Sequence, residues 1–507
     1  MKVSFRPKLG LSKHRYLYYL STAAGGVEFR VHDNSFNNVV RGVVERVLVH
    51  KIDNQWRALD QPEEEVIRQT LRPFELRMRA HAFGLTPQTR RQYVDGCDSR
   101  KRAVYEKALE ELEADGLLDR DFVMRTFVKC EKINFTLKED PAPRVIQPLS
   151  PKVNIELGKY IRPLEGVLYK LVNQIFEEDF GQMGPVVFKG MNAIQQGEAI
   201  AGIWKSFRNP VAIGGDLHRM DQHNHTYAQE FCSRVYRLFY HDKEFKRLIT
   251  KMMLARGRAR TGEGELRYEI WGRLASGRVD TALLNTLMIC AMVYSFVKAN
   301  GFGQAVRVAL IANGDDHVLF CERRHLARFG TYRAFLGGLG YPGELEPPVT
   351  ELERVEFCQC HPVFNGTLWT MVRHPRICMT KDVCTIKPVR EETTWNTLRN
   401  TIGLSGLALA GHMPVFCELY EHLRRGAGTR VDKDLTMDGM KWLAKGMNMS
   451  QVKVTTEARV SFWEAFGVLP DEQEALERFY RSTKPVWTTP ITLPRSPTHP
   501  LAMGSCL

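Results

Sequence analysis

Two short acidic stretches hold the residues best suited to do chemistry. The first is residues 306–322, VRVALIANGDDHVLFCE, where two β-rich runs flank Asn313-Gly314. Asn-Gly between such runs is a strong hairpin signal. Asp315 and Asp316 follow at once, which places carboxylates at the tip of a tight hairpin. Side chains alternate across a strand, so the two neighbours cannot both point the same way. Asp315 is then the principal candidate ligand and Asp316 a secondary or bridging one. The second stretch is residues 210–225, PVAIGGDLHRMDQHNH. Its apolar run 211–213 reads as a buried strand, with Asp216 just past the end. Asp221 follows and is far enough on to occupy a different position around the same pocket. A hard divalent cation such as Mg²⁺ prefers oxygen ligands and usually shares them with substrate phosphates. Asp216 and Asp315 are two strand-end carboxylate sources that would hold two such ions for an in-line phosphoryl displacement. His218, His223 and His225 have no Cys or acidic partner at a structural-zinc spacing, and read as surface or core histidines.

A third stretch, 275–297, begins Ser276-Gly277 and runs through Thr281 and Asn285 into an apolar helix. Gly277 permits a tight turn or close backbone approach at the helix start. Thr281 and Asn285 are four apart and share one helical face, and their polar groups need partners, protein or substrate. Taken alone, this stretch is an ordinary core helix. Upstream, residues 127–162 read as short extended pieces punctuated by prolines, with Lys129, Lys132, Lys138 and Arg144 among the cations. Proline keeps such a chain extended, so that long cationic side chains can line a groove. Residues 98–115 read as an exposed amphipathic helix. Between 243 and 260 the basic residues outnumber the single acid Glu244, which suits a phosphate-facing surface. Past Pro375 the pattern is mostly helical, and residues 483–507 read as an extended tail.

The chain has 507 residues, with 71 Lys+Arg against 58 Asp+Glu and a formal charge of +13. That balance favours a polyanionic partner. A hydrophobic content of 44% and charged content of 25% are globular rather than disordered. The eleven cysteines form no Cys-x-x-Cys pair, which points to a reducing compartment rather than a disulfide framework. No run of 18 apolar residues occurs; the best, 281–297, is broken by Thr281, Asn285, Thr286 and Ser295. The N-terminal twenty residues are basic without the apolar core of a signal peptide, and read as a basic surface segment. No G-x-x-x-x-G-K-[ST] occurs, which disfavours a P-loop triphosphatase or helicase.

In this order, the three stretches resemble the motifs of viral RNA-dependent RNA polymerases. Asp216-x₄-Asp221 is similar to motif A, Ser276-Gly277-x₃-Thr281-x₃-Asn285 to motif B, and Gly314-Asp315-Asp316 to motif C. Residues 140–161, DPAPRVIQPLSPKVNIELGKYI, resemble the basic motif F of tombusvirus-like replicases, and residues 356–364, EFCQCHPVF, their motif E. The resemblance implies an α+β fold, a closed right hand with fingers, a palm of antiparallel sheet backed by helices, and a thumb. The implied division is an N-terminal region and fingers extension at 1–125 and fingers with motif F at 126–210. The palm follows at 211–375 with an inserted fingers segment near 226–270, then a helical thumb at 376–482 and the tail. It implies that Asp216, Asp315 and Asp316 ligate two Mg²⁺ or Mn²⁺ ions. Asp221, Ser276, Thr281 and Asn285 match positions that sense the ribose 2′-hydroxyl. Arg144, with Lys129, Lys132 and Lys138, matches a path for the incoming triphosphate, and Phe357, Cys358 and Gln359 would lie against the growing strand. The implied partners are viral RNA template and product, nucleoside triphosphates, and an auxiliary replicase protein. That protein would bring the chain to membrane-bound sites in the host cytoplasm. The same Ser276, Thr281, Asn285 and Asp221 set argues against reverse transcriptase. Retaining all three metal-site acids argues against a non-catalytic scaffold, since surplus carboxylates in a basic groove repel RNA. The motif D region, 332–349, lacks lysine, which leaves the general acid open between His325, His361 and water; Arg333 is too basic for it.

Overall fold

The computed structural model describes the whole chain except residues 23, 53–54, 60, 138, 434, 436–442 and 488–507. Lys138 and most of the tail expected at 483–507 therefore lie outside the described residues.

The acidic stretches meet in one antiparallel sheet of four strands, ordered Val308–Asn313, Asp316–Glu322, Pro210–Leu217 and Gly343–Leu345. Its central runs, Val308 to Ala312 and Val318 to Cys321, are wholly buried. That burial explains why they are continuously apolar instead of alternating. Behind the sheet lies the helix Thr281–Ala299, buried from Leu283 through Val297. The apolar stretch 281–297 is thus core.

The strand expected over 211–213 in fact runs on to Leu217, so Asp216 sits within the strand, not beyond it. Gly214 and Gly215 allow this. A Cβ on Gly214 would stand 2.0 Å from Glu346 Oε2, and one on Gly215 2.2 Å from His317 Nε2. The His317 ring lies over Gly215, where only a bare backbone fits, whereas Gly214 faces the movable end of the Glu346 side chain. The hairpin turn is also displaced by one residue from the expected Asn313-Gly314. Asn313 pairs with Asp316, so Gly314 and Asp315 are the two central residues. Gly314 has φ 75°, the positive φ that a type II′ turn needs at its first central position.

A second sheet has the order Lys2–Pro7, Gly264–Trp271, Leu254–Thr261 and Val123–Arg125. The basic N-terminal segment is at the surface, as expected, and is held there as an edge strand that pairs from Lys2 to Pro7 with Gly264–Trp271. Val3 and Phe5 turn towards the core while Lys2, Ser4 and Arg6 face out, a period-two pattern that fits an edge strand.

The extended reading of 127–162 holds only for its first half. Phe127–Val128 pairs with Val145–Ile146, but Pro151 opens a thirty-residue helix, Pro151–Phe180. Ser150 caps it, and proline's fixed φ suits the first helical turn, where its missing N–H costs nothing. The helix expected at 98–115 is Ser99–Asp115, capped by Asp98. Beyond Pro375 the chain is helical as expected, with Glu392–Ala410, Phe416–Arg424, Thr456–Phe466 and Pro470–Ser482 packed about Trp395, Phe416, Phe462 and Tyr480. The N-terminal segment reaches this bundle. Tyr18–Tyr19 pairs with Cys384–Thr385, Leu20 N donates to Val383 O at 2.7 Å, and Ser21 Oγ meets His422 Nε2 at 2.7 Å.

Candidate active site

Asp216 and the turn acids lie on neighbouring strands, since Gly215 stands opposite His317 and Asn313 opposite Asp316. Asp216, Asp315 and Asp316 are all exposed to solvent, although protein packs around the carboxyl of Asp316. Burial and the adjacent Asp315 charge push the Asp316 carboxyl up to about 6, with Asp216 and Glu356 adding to the rise. Cys358 opposes it through a hydrogen bond. Burial also raises Asp221 to about 6, opposed by Asn285 and assisted by the charge of Asp315. The charge of Asp315 therefore reaches both Asp316 and Asp221, and that of Asp216 reaches Asp316.

Two contacts hold the turn in place. The Gly314 N–H donates to Thr286 Oγ1 at 3.0 Å, and that hydroxyl donates to Ala282 O at 2.8 Å. Asn313 Nδ2 donates to Cys358 Sγ at 3.5 Å. Cys358 and Gln359 have φ 51° and 60°. They are the centre of a tight turn whose ends, Phe357 and Cys360, exchange hydrogen bonds of 2.9 and 3.0 Å. Of the three residues expected at the growing strand, Phe357 is buried against Phe188. Cys358 touches Asp316, and Gln359 completes the turn.

The residues matched to ribose sensing divide. Asn285 Nδ2 donates to Asp221 Oδ1 at 2.8 Å, and Asn285 Oδ1 accepts from Asn224 Nδ2 at 2.7 Å. Asn224 Oδ1 in turn accepts from the Tyr341 hydroxyl at 2.7 Å. This chain is the polar partner set that the apolar helix required. Ser276 Oγ donates to Val145 O at 3.3 Å, and Pro148 and Gly277 form a parallel bridge. A Cβ on Gly277 would stand 2.6 Å from Gln147 O, so the glycine is what lets the basic segment approach. Thr281 is spent locally, its hydroxyl held by the Ala275 and Arg278 carbonyls at 2.8 and 3.1 Å.

Among the cations, Lys129 Nζ lies 2.8 Å and Arg144 3.6 Å from one carboxylate oxygen of Glu131, and their strands are joined by Lys129 N to Arg144 O at 2.8 Å. Lys132 points elsewhere, donating to Lys381 O at 2.6 Å and Cys384 O at 3.1 Å. His361 Nδ1 is turned to Glu353 O at 3.1 Å, and burial lowers its pKa. His325 sits on a surface 3₁₀ turn, Arg323–Phe329. Arg333 pairs at 3.3 Å with Glu344, the residue opposite Asp216. Sequence reading missed Asn224, Thr286, Tyr341 and Glu131. Thr286 beside Asn285 was the visible signal, whereas Asn224 and Tyr341 meet only through the fold.

Among the described residues no three His, Cys, Asp or Glu side chains are drawn together tightly enough to enclose a metal ion. The donor set nevertheless fits a hard divalent cation. Asp216, Asp315 and Asp316 offer only oxygen, and their mutual repulsion is relieved by added positive charge.

The chain belongs to a family described as viral RNA dependent RNA polymerase, whose model matches residues 1–488. It is 36% identical over 476 residues to the RNA-directed RNA polymerase of turnip crinkle virus, covering 92% of this chain and 60% of that one. Against the RNA-directed RNA polymerase of groundnut rosette virus (strain MC1) it is 36% identical over 486 residues, covering 95% of this chain and 55% of that one. For the enzyme of tobacco necrosis virus (strain A) the identity is 34% over 477 residues, covering 93% and 64%. The chain thus spans about three fifths of the length of these relatives.

Proposed function

We propose that this chain copies RNA from ribonucleoside triphosphates by nucleotidyl transfer, with Asp216, Asp315 and Asp316 holding two Mg²⁺ or Mn²⁺ ions. The observation that carries the reading is the Gly314-Asp315 turn set beside the Asp216 strand, in a chain of the polymerase family. When bound, such ions lower the pKa of an attacking hydroxyl and neutralise charge on the leaving pyrophosphate. The chain itself supplies position. Thr286 and Cys358 fix the turn, and Gly214 and Gly215 leave the strand thin enough for the flanking side chains. Arg144 and Lys129 share a single carboxylate between two cations, leaving positive charge over for a triphosphate. Asp221 Oδ2 and the second Nδ2 proton of Asn285 are available to a ribose hydroxyl, because their mutual bond uses Oδ1 and one proton. Ser276, held at the Val145 carbonyl, would join the ribose contact to the triphosphate path; Thr281 would act by shaping the helix start.

In this reading the sheet of acids is the palm (211–375), the basic segment with the strands Leu254–Thr261 and Gly264–Trp271 belongs to the fingers (126–210 with the insertion near 226–270), the strands Lys2–Pro7 and Val123–Arg125 to the N-terminal region and fingers extension (1–125), and the helices of 376–482 form the thumb. The contacts of Tyr18–Ser21 and Lys132 with 381–422 support a closed hand. Recruitment to membrane-bound sites in the host cytoplasm would fall to an auxiliary replicase protein. The test is purified protein with an RNA template, four ribonucleotides and Mg²⁺. Asp315→Ala and Asp216→Ala should each abolish incorporation while RNA affinity holds or rises, since negative charge has been removed. Elongation near the wild-type rate by either variant overturns the assignment.

A further inference from the structure

We infer that the outer face of the second sheet is a separate RNA-contact surface, which holds the backbone of single-stranded RNA along rows of arginines and stacks a base on Trp271. The inference takes RNA as the ligand from the function proposed above but uses none of the acidic site's residues.

The register defines the face. In Leu254–Thr261 the outward positions are Arg256, Arg258 and Arg260. Opposite them in Gly264–Trp271 stand Glu269, Arg267 and Glu265. The edge strand adds Lys2, Ser4 and Arg6 in line with the same three residues, and Arg125 lies beside Arg258 on the other side. Seven cationic side chains therefore share one sheet face with two acids. The opposite face is apolar and packs on the core through Phe5, Ala255, Ala259, Leu266, Tyr268 and Ile270.

Those two acids do not neutralise the face. Glu265, which is nearly buried, accepts from Arg258 at 2.7 Å, from Arg260 at 3.1 Å and from Arg267. One carboxylate thus fans three guanidiniums and leaves them net positive, and their hydrogen bonds hold the Glu265 carboxyl down at about 2. Among the described residues Glu269 is ion-paired only with Lys2, at 3.8 Å. The Arg256 and Arg258 side chains line a groove of about 380 Å³ with Lys2, Ser4, Arg267 and the acid Glu269.

The layout selects the ligand. Cations two residues apart on a strand stand about 6.6 Å apart, a spacing suited to successive phosphates of an extended strand. They are spread over all four strands rather than converging on a point, which suits a polymer better than a free nucleotide. Trp271 continues the outward row of Glu265, Arg267 and Glu269, and its side chain is 55% exposed. A cationic track ending in an open indole is the arrangement that binds single strands without reading sequence.

The test uses the full chain and a short, unstructured, fluorescently labelled RNA, with binding followed by anisotropy across a range of NaCl. The triple variant Arg6→Gln/Arg256→Gln/Arg260→Gln should bind more weakly, and its log K against log[salt] slope should be shallower by about 2, from roughly 0.7 per lost phosphate contact. Trp271→Ala should lose roughly five-fold or more in affinity with the slope unchanged, because stacking releases no counterions. Arg256→Lys/Arg260→Lys should keep the wild-type slope, which separates charge from folding. A matched triple on other surfaces, Lys101→Gln/Lys107→Gln/Lys170→Gln, should leave binding nearly unchanged. The inference is overturned if the two triples behave alike, or if folded Arg6→Gln/Arg256→Gln/Arg260→Gln protein binds RNA as the wild type does. It is equally overturned if that variant loses only affinity for ATP or for anionic phospholipid vesicles. A chain that binds RNA in this way yet incorporates no nucleotide defeats the polymerase reading and leaves this one standing.

Discussion

Replacing Asn285 by alanine removes two hydrogen bonds at once, and the structure sets the size of each loss. Its Nδ2 donates to the Asp221 carboxylate at 2.8 Å, and its Oδ1 accepts from Asn224, which is fully buried. A bond to a charged acceptor contributes about 1.5–3 kcal/mol, and an orphaned buried donor costs about 1–3 kcal/mol. The variant should therefore be less stable, and its Asp221 carboxyl should rise further, because Asn285 opposes that rise more strongly than the Arg46 and Arg278 charges do. The functional loss is a separate quantity. If the free proton on Nδ2 reads the ribose hydroxyl, removing it costs a ribonucleotide about 1–3 kcal/mol in kcat/KM, roughly 5- to 150-fold. The deoxynucleotide, which never made the contact, should lose far less. The assay is single-nucleotide incorporation of GTP against dGTP on one primed RNA template at fixed Mg²⁺, at a temperature where the variant is folded. Asp221→Ala should shift the preference the same way, and Thr281→Ala should leave it unchanged, because that hydroxyl is spent on the Ala275 and Arg278 carbonyls. An unchanged GTP/dGTP preference in both folded Asn285→Ala and Asp221→Ala would show that the 2′-hydroxyl is read elsewhere.

Arg144→Ala should raise the apparent KM for all four triphosphates by a similar factor, since a phosphate contact carries no base information; a loss confined to one nucleotide would refute the assignment. Lys132→Ala, by contrast, should lower the melting temperature while KM moves little, because its ammonium is bound to the Lys381 and Cys384 carbonyls. The two glycines of the Asp216 strand should also differ. Gly215→Ala drives a Cβ into the His317 ring, which is pinned to the Tyr332 hydroxyl at 3.0 Å, and should cost about 1–3 kcal/mol by overpacking. Gly214→Ala meets only the far end of Glu346, which can swing away. Equal melting temperatures for the two variants would refute the packing argument.

What could be read from the sequence was local. Asn313-Gly314 between apolar runs announced a hairpin, and the spacing of Thr281 and Asn285 announced two polar groups on one helical face; both are there. The one-residue error in the turn arose because Asn-Gly and Gly-Asp are each competent turn centres. Register is decided by which side chains the sheet must bury, and here it favours Asn313 against Asp316. The strand through Gly214-Gly215 was cut short because glycine reads as a break. What it makes room for, Glu346 and His317, lies more than a hundred residues away. The same distance hid the pairing of Lys2–Pro7 with Gly264–Trp271 and the link from Asn224 to Tyr341. Pro151 misled for the opposite reason: in one sequence a proline that opens a helix looks like one that prevents it.

These non-local contacts explain how a chain of net charge +13 keeps an acidic site. Asp216, Asp315 and Asp316 have no arginine or lysine ion pair among the described residues, and Asp216 has only His218, at 3.8 Å. Their repulsion is left uncompensated, as the raised Asp316 carboxyl records. The cations that could have quenched them are held away: Lys129 and Arg144 by Glu131, Arg333 by Glu344, Lys132 by backbone carbonyls. The ion pairs of Lys129, Arg144 and Arg333 are weak enough at the surface for a phosphate to compete for the cation, while the acids stay open to divalent ions. A lysine moved into contact with Asp315 would stabilise the unliganded protein and remove the reason for a metal to bind. The separation of charge within a few strands is therefore a property of the fold that the proposed chemistry requires, and local sequence could not specify it.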